Sequence, residues 1–227
     1  MAVIAIDGPS GAGKSSVSRA LAATFSWQYL DTGALYRALT LLAIENGIEE
    51  FSEIPMHLSG PPGPSAHALL WIGDPQDPQV LLGSRSVTAE IRSEQVTSRV
   101  SAVAANPQVR SHLLAVQRAI INSAPRGIVV EGRDIGTTVW PDAELKIFLT
   151  ADLHARAARR SAELATNTDS AQVQQALAAR DQLDSTRATS PLRQVDDQVI
   201  VDATYLSLDE VVREISQLVL SLKLDQN

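Results

Sequence analysis

Cysteine is absent from this 227-residue chain. Disulfides, thiolate nucleophiles and Cys-based zinc sites are therefore excluded. Lysine is nearly absent as well, with Lys14, Lys146 and Lys223 the only ones. Positive charge is thus carried almost wholly by arginine, whose planar fork grips phosphate in bidentate fashion. Long apolar runs are missing, and none approaches the roughly 18 residues that a membrane helix needs. A strand pattern opening at Val3 leaves no length for a signal or transit peptide. The formal net charge of −7 argues against a surface that coats nucleic acid. No internal repeat is visible. These absences point to a soluble cytoplasmic protein with neither nucleic-acid nor membrane partners that handles a small anionic ligand; it is expected to be a monomer, a state the sequence does not fix.

What is present reads as a globular α/β protein. Apolar residues make up 44% and charged residues 20%, an ordinary balance, and the length suits one α/β domain with an insertion. Strand patterns fall at Val3–Ile6, Gln28–Leu30, Gly127–Val130, Leu145–Leu149 and Val199–Asp202. Between them, helical spacing predicts helices over 14–25, Ala34–Asn46, Ala89–Ala105, Pro107–Ile121, one opening at Asp152, one over 171–186, and a last one opened by the capping box Ser207–Glu210. Ala34–Asn46 reads as amphipathic, with Gly47 as its C′ residue. Asn106-Pro107 places a cap and an N1 proline. The region near 52–90 has another texture. Leu58–Ser65 is a Gly/Pro-rich connector, Ala68–Ile72 and Val80–Leu82 are β-like, and Ser86–Thr88 is a candidate third strand. The expected fold is therefore a P-loop-type doubly wound sheet of five parallel strands with helices on both faces, plus a small antiparallel β-rich insertion.

The chemistry starts at Gly8-Pro9-Ser10-Gly11-Ala12-Gly13-Lys14-Ser15, a complete G-x-x-x-x-G-K-[ST] between a strand and a helix. Its glycines allow a tight turn whose N–H groups form a nest for anionic oxygens. The following helix adds free N–H groups and the positive end of its dipole. Lys14 supplies a point charge for β- and γ-phosphate oxygens, and the Ser15 hydroxyl is a ligand for Mg²⁺. The chain binds a nucleoside triphosphate. It lacks D-x-x-G and Asn-Lys-x-Asp, so it is not read as a GTPase. Leu58-Ser59-Gly60 begins an ABC-type signature, but Pro61-Pro62 ends the match.

Four further groups carry charge where an open α/β sheet places ligand. These are Asp31–Arg37 (DTGALYR), Glu131-Gly132-Arg133-Asp134, the helix-face set Arg156, Arg159 and Arg160, and Arg180, Asp184 and Arg187 at i, i+4, i+7. Each arginine alone would pass for a solvated ion-pair partner. Transfer between two phosphorylated molecules, however, gathers several negative charges that cations must neutralise.

The chain resembles the bacterial cytidylate (CMP) kinases, P-loop nucleoside monophosphate kinases, along essentially its full length. The likeness rests on IDGPSGAGKS (Ile6–Ser15), DTGALYR, AEIRSEQV (Ala89–Val96), EGRDIGT (Glu131–Thr137), PDAELKIFL (Pro141–Leu149) and RDQLDSTRATSPL (Arg180–Leu192). Thr32 stands where the family often has Ser, and Glu131 where it often has Asp. The insertion is similar to the β-rich extension of that family. The resemblance implies ATP-dependent phosphorylation of CMP and dCMP by direct in-line transfer, with Mg²⁺. It implies that ATP is held by Gly8 to Ser16, including Ser10, Ala12, Gly13, Ser15 and Ser16, and by Arg156, Arg159 and Arg160 of a mobile helical lid. For CMP it implies Thr32, Arg37, Arg133 and Arg187 at the phosphate, Ser101, Arg110 and Asp134 at the cytosine, and Arg180 with Asp184 at the ribose, with Tyr36 in the same site. Lys14, Arg133 and Arg187 would be the catalytic set. The implied organisation is a core of about 1–33, 107–152 and 188–227, an acceptor-binding region with insertion at about 34–106, and a lid at about 153–187. A P-loop kinase for another small acceptor, and an ATP-sensing module without turnover, are the alternatives.

Overall fold

The computed structural model describes residues 1–58, 68–164 and 170–226. Most of the Leu58–Ser65 connector and the polar stretch Thr166–Asp169 lie outside the described residues. In chain order the elements are β1 (Ala2–Asp7), α1 (Lys14–Phe25), β2 (Gln28–Asp31), α2 (Thr32–Glu45), α3 (Ile54–His57), β3 (Leu69–Ile72), β4 (Gln79–Leu82), β5 (Arg85–Ser86), α4 (Glu94–Ala105) and α5 (Pro107–Asn122). There follow β6 (Gly127–Gly132), β7 (Leu145–Thr150), α6 (Leu153–Leu164), α7 (Ser170–Thr186), β8 (Val199–Asp202) and α8 (Leu208–Ser221). Contacts group them into two compact units, Met1–Tyr29 with Ala124–Asn227, and Leu30–Ser123.

The main sheet is parallel, in the order β2-β6-β1-β7-β8. All six residues of β1 are buried, as expected of a strand flanked by neighbours and covered on both faces. Its register against β6 runs from Ala2↔Gly127 to Asp7↔Gly132. The carboxyl ends of β1 and β6 are therefore level, so the glycine loop leaves the sheet beside Arg133 and Asp134. Gly127 is required by packing, since a Cβ there would come 2.7 Å from the Trp27 ring. The first helix of this unit ends on Ser26, in the left-handed region at φ 54. Trp27 then stacks on Phe25 with ring centroids 5.0 Å apart. The capping box at Ser207 and Glu210 is formed as its sequence implies.

In the second unit, α2 starts at Thr32, because the Asp31 carboxylate accepts from the Ala34 N–H at 3.0 Å. The helix expected over Ala34–Asn46 forms over Thr32–Glu45 and is more deeply covered than a one-faced pattern requires. Most of its length from Thr32 to Ala43 is buried, against α4 and the small sheet among others. The insertion is an antiparallel sheet in the order β3-β4-β5. Its third strand is Arg85–Ser86, starting one residue and ending two residues earlier than expected. The helix expected over Ala89–Ala105 is broken: a 3₁₀ turn covers Glu90–Arg92, and Ser93, at φ −58 and ψ 158, restarts the chain as the N-cap of α4. A serine that can cap competes with helix continuation at its own position. Asn106 and Pro107 cap and open α5, with the Asn106 side chain accepting from Gln108 and Val109.

Candidate active site

The glycine loop of the first unit is built for close approach. A Cβ on Gly8, whose φ is 152, would collide with the Leu149 carbonyl. One on Gly11, at φ 76, would meet the Arg156 backbone oxygen at 3.2 Å. Gly13, the N-cap of α1, offers no side chain to its N–H groups, and the first turn holds no acidic residue. The first-turn donors and the dipole of α1 are thus left to an anion.

Lys14 is buried and donates from Nζ to the Pro9 carbonyl at 2.7 Å. Burial, followed by the nearby Arg133 and Arg180 charges, lowers its pKa to about 7, against the pull of Glu131 and Asp7. Arg133 reaches back to the loop. Its Nη1 donates to the Gly8 carbonyl at 2.8 Å, and its Nε donates to Asp184 Oδ2 at 2.7 Å. Arg187 lies 3.6 Å from Asp134 and 3.8 Å from Asp184, while its Nε donates to the Ser190 carbonyl at 2.6 Å. Burial alone would raise the Asp184 carboxyl, but Arg133, Arg180 and Arg187 together hold it below its ordinary value. Arg180 is lowered by burial and by Arg133, and its Nε is buried without a hydrogen-bond partner among the described residues. A lysine, three guanidiniums and the carboxylates of Glu131, Asp134 and Asp184 thus converge on the mouth of the loop. Such a cluster of buried cations suits highly charged anionic ligands.

The arginines of α6 behave differently from one another. Arg156 is buried, donating to the Ala151 and Ser10 carbonyls, each at 2.9 Å, and pairing with Asp181. Asp181 in turn accepts from the Ser10 N–H at 3.0 Å. Arg159 donates to the carbonyl of Ala203, just past β8. Arg160 acts on the charge of Arg180. The three therefore differ in their partners here, with neighbouring carbonyls accepting from two of them. Glu131 accepts from the Tyr29 hydroxyl. Ser15 and Ser16 are exposed in the first turn of α1, so their hydroxyls are accessible.

The remaining sequence candidates lie in the second unit. Thr32 is buried at the start of α2. Arg37 donates to the Ile91 carbonyl at 3.0 Å and to Thr97 Oγ1 at 2.9 Å. Arg110 is buried, donates to the Ala104 carbonyl at 3.0 Å and lies over the Tyr36 ring at 5.5 Å. Ser101 is half-buried on α4. Within this unit, then, Tyr36 and Arg110 are brought into contact.

Two carboxylates were missed by sequence reasoning. Asp7 enters the sequence reading only as part of the Ile6–Ser15 run, with no role of its own. Its signal was a charged residue closing an all-apolar run directly before the glycine loop. Asp181 carried no signal, since it falls outside the i, i+4, i+7 pattern of its neighbours.

Comparison with known proteins adds independent findings. The family model described as Cytidylate kinase matches residues 4–221. The chain is 48% identical over 221 residues to a cytidylate kinase of Streptomyces avermitilis, covering 96% of this chain and 92% of that protein. It is 51% identical over 217 residues to a cytidylate kinase of Rhodococcus jostii, covering 92% and 91%. Among solved structures, a gluconokinase from Sinorhizobium meliloti aligns over 100% of this chain and 98% of that one, with TM-score 0.50 and 17% identity. Such a likeness speaks for the fold alone. Among the described residues, no helix is long and apolar enough to cross a membrane.

Proposed function

The chain belongs to the cytidylate kinase family, and we propose that it transfers the γ-phosphoryl group of ATP directly to the phosphate of CMP or dCMP. The observation that carries this reading is Arg133. One guanidinium grips the carbonyl of Gly8 in the donor loop and the Asp184 carboxylate, so residues assigned to the acceptor are tied to the loop that holds the donor. Near neutral pH the acceptor oxygen is already ionised, so the reaction needs no general base. Positioning and charge neutralisation carry the rate.

In this reading Gly8 to Ser16 hold the triphosphate, and Lys14 bridges its outer oxygens. Arg133 and Arg187 neutralise charge shared by donor and acceptor, with Asp184 keeping both guanidiniums oriented. Asp134 reads the cytosine, and Arg180 and Asp184 meet the ribose. From the second unit, Thr32 and Arg37 serve the acceptor phosphate, while Tyr36, Ser101 and Arg110 serve the base. The segment of about 34–106 is the acceptor-binding region and that of about 153–187 the lid, with Arg156, Arg159 and Arg160 on the ATP side. Mg²⁺ fits this donor set. Ser15 offers an exposed hydroxyl that would hold the hard cation. Bound there, it would supply charge neutralisation on the transferring group. Action in the cytoplasm, as a monomer on small molecules only, belongs to the same proposal.

A coupled assay over a panel of nucleoside monophosphates tests the reading. CMP and dCMP are expected to give the highest kcat/KM. A higher value for UMP, AMP or GMP refutes it.

A further inference from the structure

Asp7 closes β1 and is fully buried. An apolar residue would serve the strand equally well, and an ionisable one costs free energy there unless hydrogen bonds offset its lost hydration. Three donors do so. Oδ1 accepts from the Ile135 N–H at 2.7 Å, and Oδ2 accepts from the Gly136 N–H at 2.9 Å and from Gln198 Nε2 at 3.2 Å. Gln198 is itself buried and exchanges hydrogen bonds with Val195, which anchors the chain leading into β8.

The two backbone donors have a particular place. Ile135–Val139 forms a single π-type turn directly after Arg133 and Asp134. The Asp134 carbonyl accepts from Thr138 and Val139, but the first N–H groups of a turn have no partner within it. Asp7 takes two of them. The approach is close: a Cβ on Gly136 would lie in van der Waals contact with Asp7 Oδ2 at 3.4 Å and 3.1 Å from Lys146 Cδ. The next residue along the chain from Asp7, Gly8, accepts from Arg133. The β6 exit is thus clamped at two successive residues, through the Asp7 side chain and the Gly8 main chain.

We propose that Asp7 is a positioning residue for the acceptor side of the reaction, holding Arg133 and Asp134 in register with the glycine loop through Ile135 and Gly136. The inference rests on the assignment of those two residues to CMP made above. The charges that face Asp7 agree with a strained but retained anion. Burial raises its pKa to about 6, Asp134 adds to the rise, and the Ile135 and Gly136 N–H groups and Lys14 oppose it. Lys146 lies along Gly136 but pairs its ammonium with Asp197.

Asp7→Asn keeps the shape and sets an NH₂ group against one of the two turn N–H groups, freeing that end of the turn. The expected result is a KM for CMP raised about tenfold with the KM for ATP within about twofold, the split that separates acceptor positioning from general damage. Were Asp7 to act only through the charge of Lys14, the KM for ATP would rise instead, and the proposal would be overturned. Equal change in both KM values would also overturn it. Should the variant fail to fold, the wild-type protein still decides: the Ile135 and Gly136 amide protons should lie downfield and titrate together near pH 6 by NMR, and amides that do not titrate refute the clamp. This titration does not depend on the acceptor's identity, so failure of the CMP assignment shows separately, in the monophosphate panel.

Discussion

Lys14 is expected to take up a proton when ATP binds. In the free protein its ammonium is buried beside Arg133 and Arg180, which brings its pKa to about 7 from an ordinary 10.5. At pH 8 it is therefore about nine-tenths neutral, and at pH 6 about nine-tenths charged. Triphosphate oxygens placed against Nζ reverse the balance, since anions within a few ångströms favour the charged form. Binding at pH 8 should then draw in about 0.9 proton, and binding at pH 6 about 0.1, with charging at pH 8 costing about 1.4 kcal/mol, or roughly tenfold in affinity. The same shift acts on folding. Between pH 7 and 10.5 the unfolded chain binds the proton that the native lysine has released, so this group's contribution makes the free protein more stable as pH rises through that window. Isothermal titration calorimetry with MgATP in buffers of different ionisation enthalpy reads the uptake directly. Lys14→Met should abolish it. A wild-type uptake that is near zero at pH 8, or equal at pH 6 and pH 8, would refute the reasoning.

Asp184→Ala removes the counter-charge of Arg133 and Arg187 while leaving the glycine loop intact. The KM for CMP should rise by one to two orders of magnitude with little change for ATP, and stability should fall by about 3 kcal/mol, as for a broken buried pair; steady-state kinetics and thermal unfolding check both. Ser207→Ala dismantles the capping box at the start of α8. It should cost about 1 kcal/mol, seen as a Tm lowered by about 2–4 °C with kcat unchanged.

Much of the site was legible because it is local. Gly8 to Ser15 turn, cradle and start a helix within eight consecutive residues, so the chemistry shows in spacing alone. The strand runs, the Asn106 and Ser207 caps and the placement of Arg133 at a strand end were legible for the same reason. Where local signals compete, they failed: Ser93 could continue a helix or cap a new one, and it caps.

What only tertiary structure decided is the partner of each charge. Periodicity set Arg156, Arg159 and Arg160 on one helix, but the carbonyls of Ser10 and Ala203 determine where two of them point. Asp7 meets Ile135 and Gly136 across 128 and 129 residues of sequence. The π-type turn that this carboxylate supports has no local pattern of its own. The sequence by itself determined that a triphosphate is held, through backbone geometry that eight neighbouring residues specify. The parallel register of β1 and β6 decided which side chains stand at its mouth. Hydrogen bonds between distant segments form only once the strands carrying them are side by side.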